Sequence, residues 1–202
     1  MYGDSPGPHP IAKWSFDEGT GQTISPSHGK KLKITNSALT GTLGGSAENT
    51  DNDPTRVTNP ANCMQGNCLE FNSANPEYAN VGDTNLDINS ACIWINPSTT
   101  TQPIMSFDAT STYLRLVSGV VTPTGFTSPT VYVNGKATTA ISTGWSYVCV
   151  TSETPITANA VRFGIANGAY FTGKVDVTEF FNFVLTPSEV ASLYNLGAVS
   201  FR

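Results

Sequence analysis

Two carboxylates near the end of the chain, Asp176 and Glu179, come closest in this sequence to a catalytic pair. Glycoside hydrolysis needs two such groups facing one substrate, one as nucleophile or base and the other as acid. Successive side chains of a strand alternate between its faces, so a spacing of three predicts that these carboxylates lie on opposite faces. The histidines, His9 and His28, lie in polar segments with no apparent serine or cysteine partner. We therefore predict that the chain is not an enzyme.

Other residues have the chemistry of a sugar site. Such sites combine an aromatic platform for the apolar face of a pyranose ring with planar polar groups for its hydroxyls. Tyr113 and Arg115 are two residues apart in a strand-like run, so we expect them to share a strand face. The loop aromatics Tyr78, Phe126 and Tyr170 complete the candidate ligand-binding set. The three tryptophans are interpreted as core residues.

The four cysteines form two plausible disulfide pairs. Cys63 and Cys68 bracket a tight loop that a local bridge would close, and Cys92 and Cys149 each lie in an apolar, strand-like run. The second bridge requires those two strands to be neighbours. A zinc site is the alternative for the first pair, but the four-residue spacing and the absence of a suitable second pair argue against it. Two disulfides would indicate an oxidising compartment.

The composition excludes several classes of partner. Charged residues make up 12% of the 202 residues, the net charge is −5 and the isoelectric point is near 4.8. No basic patch could neutralise a run of phosphates, so we predict no nucleic-acid partner. No apolar run reaches the roughly 18 residues of a membrane-spanning helix. No Asn-x-Ser/Thr sequon for N-glycosylation occurs, which fits a bacterial surface protein better than a eukaryotic secreted one. We predict an extracellular or cell-surface protein of prokaryotic origin.

Short apolar runs separated by turn signals dominate the chain. Such a pattern predicts an all-β sandwich or jelly roll. The Asn134-Gly135 and Asn167-Gly168 pairs favour hairpin turns, and residues 44–60 read as a long loop. The predicted strand segments are 11–16, 32–34, 39–43, 68–71, 78–81, 91–95, 103–107, 112–117, 130–133, 144–151, 160–165 and 174–181.

One helix is predicted, near residues 187–195. Thr186 is its N-cap, Pro187 occupies the first helical position, and Glu189 completes a capping box. Gly197 is expected to follow its end. A helix this short must pack on the sandwich to persist.

A series of motifs runs in order from residue 11 to residue 195. They are WSFDEGTG (14–21), LEFN (69–72), YANVGD (78–83), LDI (86–88), IWINP (93–97), VYVNG (131–135), GWSYVCVT (144–151), FGI (163–165), FTGKVD (171–176) and LTPSEVASLY (185–194). Together they resemble the LamG-like domains of bacterial surface proteins. The resemblance implies a concanavalin A-like fold, an all-β two-sheet antiparallel jelly-roll sandwich with one short C-terminal helix. We expect one such domain over 11–202, after a linker over 1–10.

The same resemblance implies that a structural calcium ion could be held by loop carboxylates. The candidate ligands are Asp17, Asp83 and Asp176, with Asp51, Asp53 and Asp87 as further oxygen donors. The alternative is that Asp17 and Asp176 cap turns through local hydrogen bonds. No cofactor is expected to be required.

Domains of this type usually bind or scaffold. We therefore predict a non-catalytic extracellular binding or adhesion domain that recognises a glycan or a cell-surface protein. The low surface charge and the Pro/Gly-rich start also fit a self-assembling, pilin-like subunit of a surface filament, which is the alternative. A glycoside-active enzyme is the third hypothesis.

Overall fold

The structure is a computed structural model that describes residues 7–27, 39–46, 48, 50–108, 110–141 and 144–199, without the side chains of residues 198 and 199. The predicted strand at 32–34 and His28 lie outside the described residues. In chain order the strands are β1 (Ala12–Trp14), β2 (Thr23–Ile24), β3 (Gly41–Leu43), β4 (Thr55–Val57), β5 (Cys68–Phe71), β6 (Ala79–Gly82), β7 (Leu86–Pro97), β8 (Gln102–Ser106), β9 (Tyr113–Val117), β10 (Val120–Thr124), β11 (Thr130–Val133), β12 (Lys136–Ala137), β13 (Ser146–Ala158), β14 (Val161–Phe163), β15 (Ile165–Ala166), β16 (Ala169–Tyr170) and β17 (Gly173–Phe181). A short 3-10 helix covers Pro60–Asn62, and the helix α1 covers Pro187–Val199.

Two large antiparallel sheets form a sandwich, so the predicted fold class is confirmed. Among the described residues the first sheet has the order β12-β11-β13-β7-β17-β5-β4, and β1 pairs with the second half of β17. The second sheet has the order β10-β9-β8-β14-β6-β3-β2. The small β15–β16 hairpin forms a separate two-stranded sheet that packs beside β8.

The main core fills the space between the two sheets. Alternate strand residues point inward, as in Ile93 and Ile95 of β7 and Leu114 and Leu116 of β9, all fully buried. Trp14 anchors this core. Its ring packs edge-on against Phe163 and Phe180 at centroid distances of 5.6 and 5.2 Å, and its Nε1 donates to the backbone oxygen of Leu39.

The first sheet is covered on its outward face as well. There α1 packs over a second apolar cluster that includes Trp94, Tyr147 and Leu193. The Cys92–Cys149 disulfide belongs to this cluster and joins β7 to its neighbour β13, where the two cysteines are paired in register. The Cys63–Cys68 disulfide also forms, so both predicted bridges are confirmed.

The helix begins where the sequence predicts and ends later. Thr186 N donates to Glu189 Oε2 and Glu189 N donates to Thr186 Oγ1, which confirms the capping box. Gly197 lies inside α1 instead of after it, and its lack of a side chain lets the helix pass close to Trp94: a β-carbon at Gly197 would lie 3.0 Å from the indole Nε1. Among the described residues, no helix has the length and apolarity needed to cross a membrane.

Five of the described strands escaped the sequence analysis, namely β2, β4, β10, β12 and β16. β10 contains Pro123, which cannot donate to a ladder and argues against a strand, but β10 is an edge strand and tolerates it. β4 lies within the segment predicted as a long loop. Both Asn-Gly pairs do have positive φ angles, as predicted for hairpin turns.

Candidate functional site

A cavity of about 220 Å³ lies against β8, β9 and the β15–β16 hairpin. Its polar and aromatic lining includes Gln102, Tyr113, Arg115, Asn167, Tyr170 and Thr172. Pockets for drug-sized ligands measure roughly 300–1,000 Å³, so this one suits a group of about the size of one sugar ring.

Tyr113 and Arg115 reach the cavity because of the pleat of β9. Leu114 and Leu116 are fully buried in the core between the sheets, so the residues that alternate with them face away from it. Both Tyr113 and Arg115 are half-buried, with side chains that a ligand can reach. The predicted shared face is therefore present, on the outward side of the second sheet.

Tyr170 is brought to the same cavity by the β15–β16 hairpin. The hairpin turns through Asn167 and Gly168, whose φ angles are +49° and +72°. Tyr170 pairs with Ile165 across it. Three of the five predicted ligand-binding residues, Tyr113, Arg115 and Tyr170, thus meet at one site.

Gln102 fixes the inner edge of the cavity. Its Nε2 donates to the backbone oxygen of Thr172 over 3.1 Å, and its Oε1 accepts from Thr172 N over 3.0 Å. Thr172 Oγ1 in turn donates to Ser73 Oγ over 2.7 Å. Sequence reasoning missed Gln102 and Thr172, because their pairing joins segments seventy residues apart.

Arg115 gives the cavity its charge. It is the one charged residue among those that line the cavity. No hydrogen bond or ion pair joins its guanidinium to any described residue. Its five N–H donors are therefore available to a ligand that offers hydroxyl or carboxylate oxygens.

Tyr78 and Phe126 lie outside the cavity. Phe126 packs against the main core, with its ring edge-on to Phe107 at 5.5 Å. Tyr78 directly precedes β6. Strand β14 lies between β6 and β8, so Tyr78 is away from the cavity. The backbone oxygen of Tyr78 accepts a hydrogen bond from Gly44 N.

The calcium candidates Asp17 and Asp176 both hold the loop closed by the Cys63–Cys68 bridge. Asp176 Oδ2 accepts from Met64 N and Gln65 N over 2.8 and 2.7 Å. Asp17 Oδ1 accepts from Asn67 N over 2.8 Å. Burial raises the pKa of Asp176 from 3.8 to about 7, helped by the charge of Asp17 and opposed by the amide hydrogen bonds.

This donor set does not suit calcium. The atoms that face Asp176 are N–H groups, which compete with a cation for the carboxylate, and its Oδ1 accepts a third, from Val177 N. Of the other candidates, Asp83 accepts from Asn85 N in a local turn, Asp53 accepts from Thr50 N, Asp87 accepts from Thr157 Oγ1, and Asp51 is exposed. No cluster of three or more potential metal ligands occurs in the described part of the chain. The hydrogen bonds of Asp17 and Asp176 span distant segments, so these residues do more than cap local turns.

The prediction that Asp176 and Glu179 lie on opposite faces of a strand is wrong. Asp176 is opposite Trp94 and Glu179 is opposite Cys92, two residues apart on one face of β7, because the β17 register shifts between Asp176 and Thr178. The extra residue, Val177, forms a β-bulge, which shifts the alternation of side chains between the two faces of β17 by one residue.

Both carboxylates are nevertheless engaged beneath the outward cluster. Asp176 is fully buried and Glu179 is 8% exposed. Glu179 accepts from Lys13 Nζ over 3.0 Å and from the Tyr147 hydroxyl over 3.2 Å. Burial and the charge of Glu179 raise the pKa of Tyr147 well above its usual value. A substrate has no access to this pair.

Comparison with solved structures shows the same fold in two carbohydrate-related proteins. Domain 4 of AbnA, a GH43 extracellular arabinanase from Geobacillus stearothermophilus solved in complex with arabinotriose, superposes with a TM-score of 0.55 at 17% identity, covering 92% of this chain and 98% of that domain. Trypanosoma rangeli sialidase in complex with the inhibitor DANA superposes with a TM-score of 0.56 at 12% identity, covering 96% of this chain but only 34% of the sialidase. No protein-family model and no curated protein matches the sequence. At these identities the likeness concerns the fold, a β-sandwich also found in carbohydrate-related proteins.

Proposed function

We propose that this chain is a non-catalytic, extracellular glycan-binding domain of the LamG-like type, and that the cavity beside Tyr113, Arg115 and Tyr170 binds the sugar. The observation that carries the proposal is the meeting of these three side chains, from distant parts of the sequence, at one outward-facing cavity. The arabinotriose complex of the structurally similar arabinanase domain supports a glycan as ligand.

The chemistry of the cavity suits a sugar. The rings of Tyr113 and Tyr170 supply apolar surface for the C–H face of a pyranose, and their hydroxyls stay available for hydrogen bonds. Asn167 adds an amide and Arg115 a planar fork of donors for ring hydroxyls. The reciprocal bonds between Gln102 and Thr172 hold the hairpin side of the cavity in place before a ligand arrives, which lowers the entropic cost of binding.

Two further features support the non-catalytic and extracellular parts of the proposal. The Asp176 and Glu179 pair is buried on the opposite sheet from the cavity, and its oxygens accept from the 63–68 loop, Lys13 and Tyr147. No carboxylate lines the cavity itself, so it lacks the acid and base that glycoside hydrolysis requires. The two disulfides favour an oxidising environment.

The test is a glycan array followed by titration calorimetry with the best-bound oligosaccharide. We expect Tyr113→Ala and Tyr170→Ala each to weaken binding at least tenfold, in line with roughly 1–3 kcal/mol for a lost stacking contact. Phe183→Ala is the matched control, because Phe183 is an exposed aromatic on the segment between β17 and α1. Binding that survives both tyrosine substitutions would refute this site.

The filament-subunit alternative stays a prediction from the sequence. No contact among the described residues favours it over glycan binding, and sizing of the protein at high concentration would test it.

A further inference from the structure

We propose that the glycan is anionic, with carboxylate groups, and that it extends from the cavity across the second sheet to Arg162. This inference rests on the proposed function and adds the chemical class and direction of the ligand.

A single row of residues crosses all seven strands of the second sheet. The pairing register connects it without a break, from Thr23 to Thr42, Asn80, Arg162, Ser106, Tyr113 and Thr124. Six members of this polar row have polar or charged side chains, and the seventh, Tyr113, carries a hydroxyl. Tyr113 belongs to the cavity, so the row leads directly out of it.

The polar row faces outward because its strand neighbours face the core. Arg162 lies between Val161 and Phe163, both fully buried in the main core. Tyr113 and Asn80 have the same relation to Leu114 and Ala79, which are also fully buried. Neighbouring strands are about 4.8 Å apart, so Tyr113 of β9 and Arg162 of β14 are separated by two spacings, or about 10 Å. That separation is short enough for successive sugars of one chain to reach both.

Across β8, β9, β10 and β14, the strands nearest the cavity, the outward face has two arginines and no carboxylate. The outward residues of β8, β9, β10 and β14 include Arg115 and Arg162 and no Asp or Glu. The ion pairs found among the described residues join Lys13 to Glu179 on the first sheet and Arg56 to Glu18 beside Thr23, at the far end of the polar row, and neither involves Arg115 or Arg162. In a protein with a net charge of −5, the four strands nearest the cavity therefore carry a local positive strip.

Arg162 carries the strongest sign of a missing partner. The side chain is half-buried, and its Nε is buried without any hydrogen-bond partner in the described part of the chain. A buried donor left unsatisfied is costly, and the cost is greater for a charged group. The two terminal nitrogens of Arg162 are not buried and have no hydrogen-bond partner in the described part of the chain, so a carboxylate can accept two parallel hydrogen bonds from them. Arg115 offers a second such site beside Tyr113.

The test compares three probes on the same protein by calorimetry. They are an oligogalacturonate, its fully methyl-esterified form, and a sulfated dextran oligosaccharide of similar length. The ester has the same sugar skeleton without the charge. We expect the oligogalacturonate to bind at least tenfold more tightly than its ester, with an affinity that falls as salt rises.

Variants locate the charge contacts. Arg162→Gln and Arg115→Gln should each weaken the oligogalacturonate about tenfold or more and leave the methyl ester nearly unchanged. Arg162→Lys keeps the charge but not the fork, so it should recover part of the lost affinity. Lys136→Gln, an exposed cation on β12 of the other sheet, is the matched control and should have no effect. Melting temperatures check that each variant folds.

The outcomes separate the two proposals. Equal binding of the acid and its ester, or binding of neutral glycans alone, overturns the anionic ligand and leaves the glycan site standing. Preference for the sulfated probe over the carboxylated one overturns the carboxylate assignment. Binding of no probe, together with silence of a wider array of neutral and acidic glycans, overturns both proposals.

Discussion

Gln102 and Thr172 exchange a reciprocal pair of hydrogen bonds, from Nε2 to the backbone oxygen and from the backbone N–H to Oε1. This contact joins the first residue of β8 to the segment between β16 and β17. Since Tyr170 precedes Thr172 by two residues, the same pair fixes the wall of the cavity. The same buried amide therefore supports both the fold and the cavity that we propose binds a glycan.

Replacing this amide should affect both properties. Gln102→Ala leaves the N–H of Thr172 without its partner, whereas the C=O keeps its bond from Ser98 N, and we expect a loss of about 1–3 kcal/mol in the free energy of unfolding. Glycan affinity should fall too, because Tyr170 loses its support. Urea unfolding and calorimetry measure the two effects. Gln65→Ala is the control, since the half-buried Gln65 side chain makes no hydrogen bond with any described residue; equal losses in both variants would contradict the assignment.

The pKa of Asp176 predicts a pH dependence of stability. The carboxyl titrates at about 7 in the folded chain and near 3.8 when unfolded, so between these values the folded state binds more protons. Its contribution is complete below about pH 4, decreases by up to about 1.4 kcal/mol per pH unit as pH rises, and is lost above about pH 7. Asp176→Asn cannot titrate, so its stability relative to the parent should improve over this range.

Urea unfolding at several pH values measures this difference. Asp83→Asn is the control, because Asp83 lies in a local turn at the surface, and its profile should follow the parent. A parallel profile for Asp176→Asn would count against the raised pKa.

Because the residues around Asp176 do not suit calcium, EGTA should leave the melting temperature of the protein unchanged. A clear drop in the melting temperature would contradict that conclusion.

The two disulfides should differ in what they contribute. In the chain-entropy model, stabilisation grows with the length of the closed loop. The Cys92–Cys149 bridge spans 57 residues and the Cys63–Cys68 bridge spans 5. We expect removal of the first pair by double alanine substitution to cost about 4 kcal/mol, and removal of the second about 2 kcal/mol. Denaturant unfolding of the two double variants measures this ranking, and the reverse order would contradict it.

Gly173 should tolerate no side chain. Its φ is +138°, and a β-carbon there would lie 2.3 Å from the backbone oxygen of Asn96. Gly173→Ala combines backbone strain with a clash against a neighbouring strand, and we expect a loss of about 3 kcal/mol or more. Gly119→Ala is a matched control, because Gly119 has a φ of +79° but open space around it. The cost of Gly119→Ala, about 1 kcal/mol, measures the backbone strain alone. Similar melting temperatures for the two variants would show that the clash at residue 173 is relieved and would contradict the prediction.

Local patterns in the sequence predicted much of the fold and part of the site. The spacing of Tyr113 and Arg115 was enough to place them on one face, and the capping residues were enough to start α1. Patterns failed where distant contacts decide the outcome. The bulge at Val177 moved Glu179 to the face that carries Asp176, and Gly197, expected to follow α1, instead lies inside it against the indole of Trp94. Arg162 was missed because only the strand order places it in line with Tyr113.

The covering of the first sheet by α1 has a practical consequence for experiments at a surface. A β-carbon built on Gly7 would lie 3.5 Å from Leu196 Cδ1, so the first and last parts of the described chain meet beside α1. A label attached at position 7 or 196 therefore lies on the side opposite the cavity. Immobilised through such a label on a sensor chip, the domain presents Tyr113 and Arg162 to the solution.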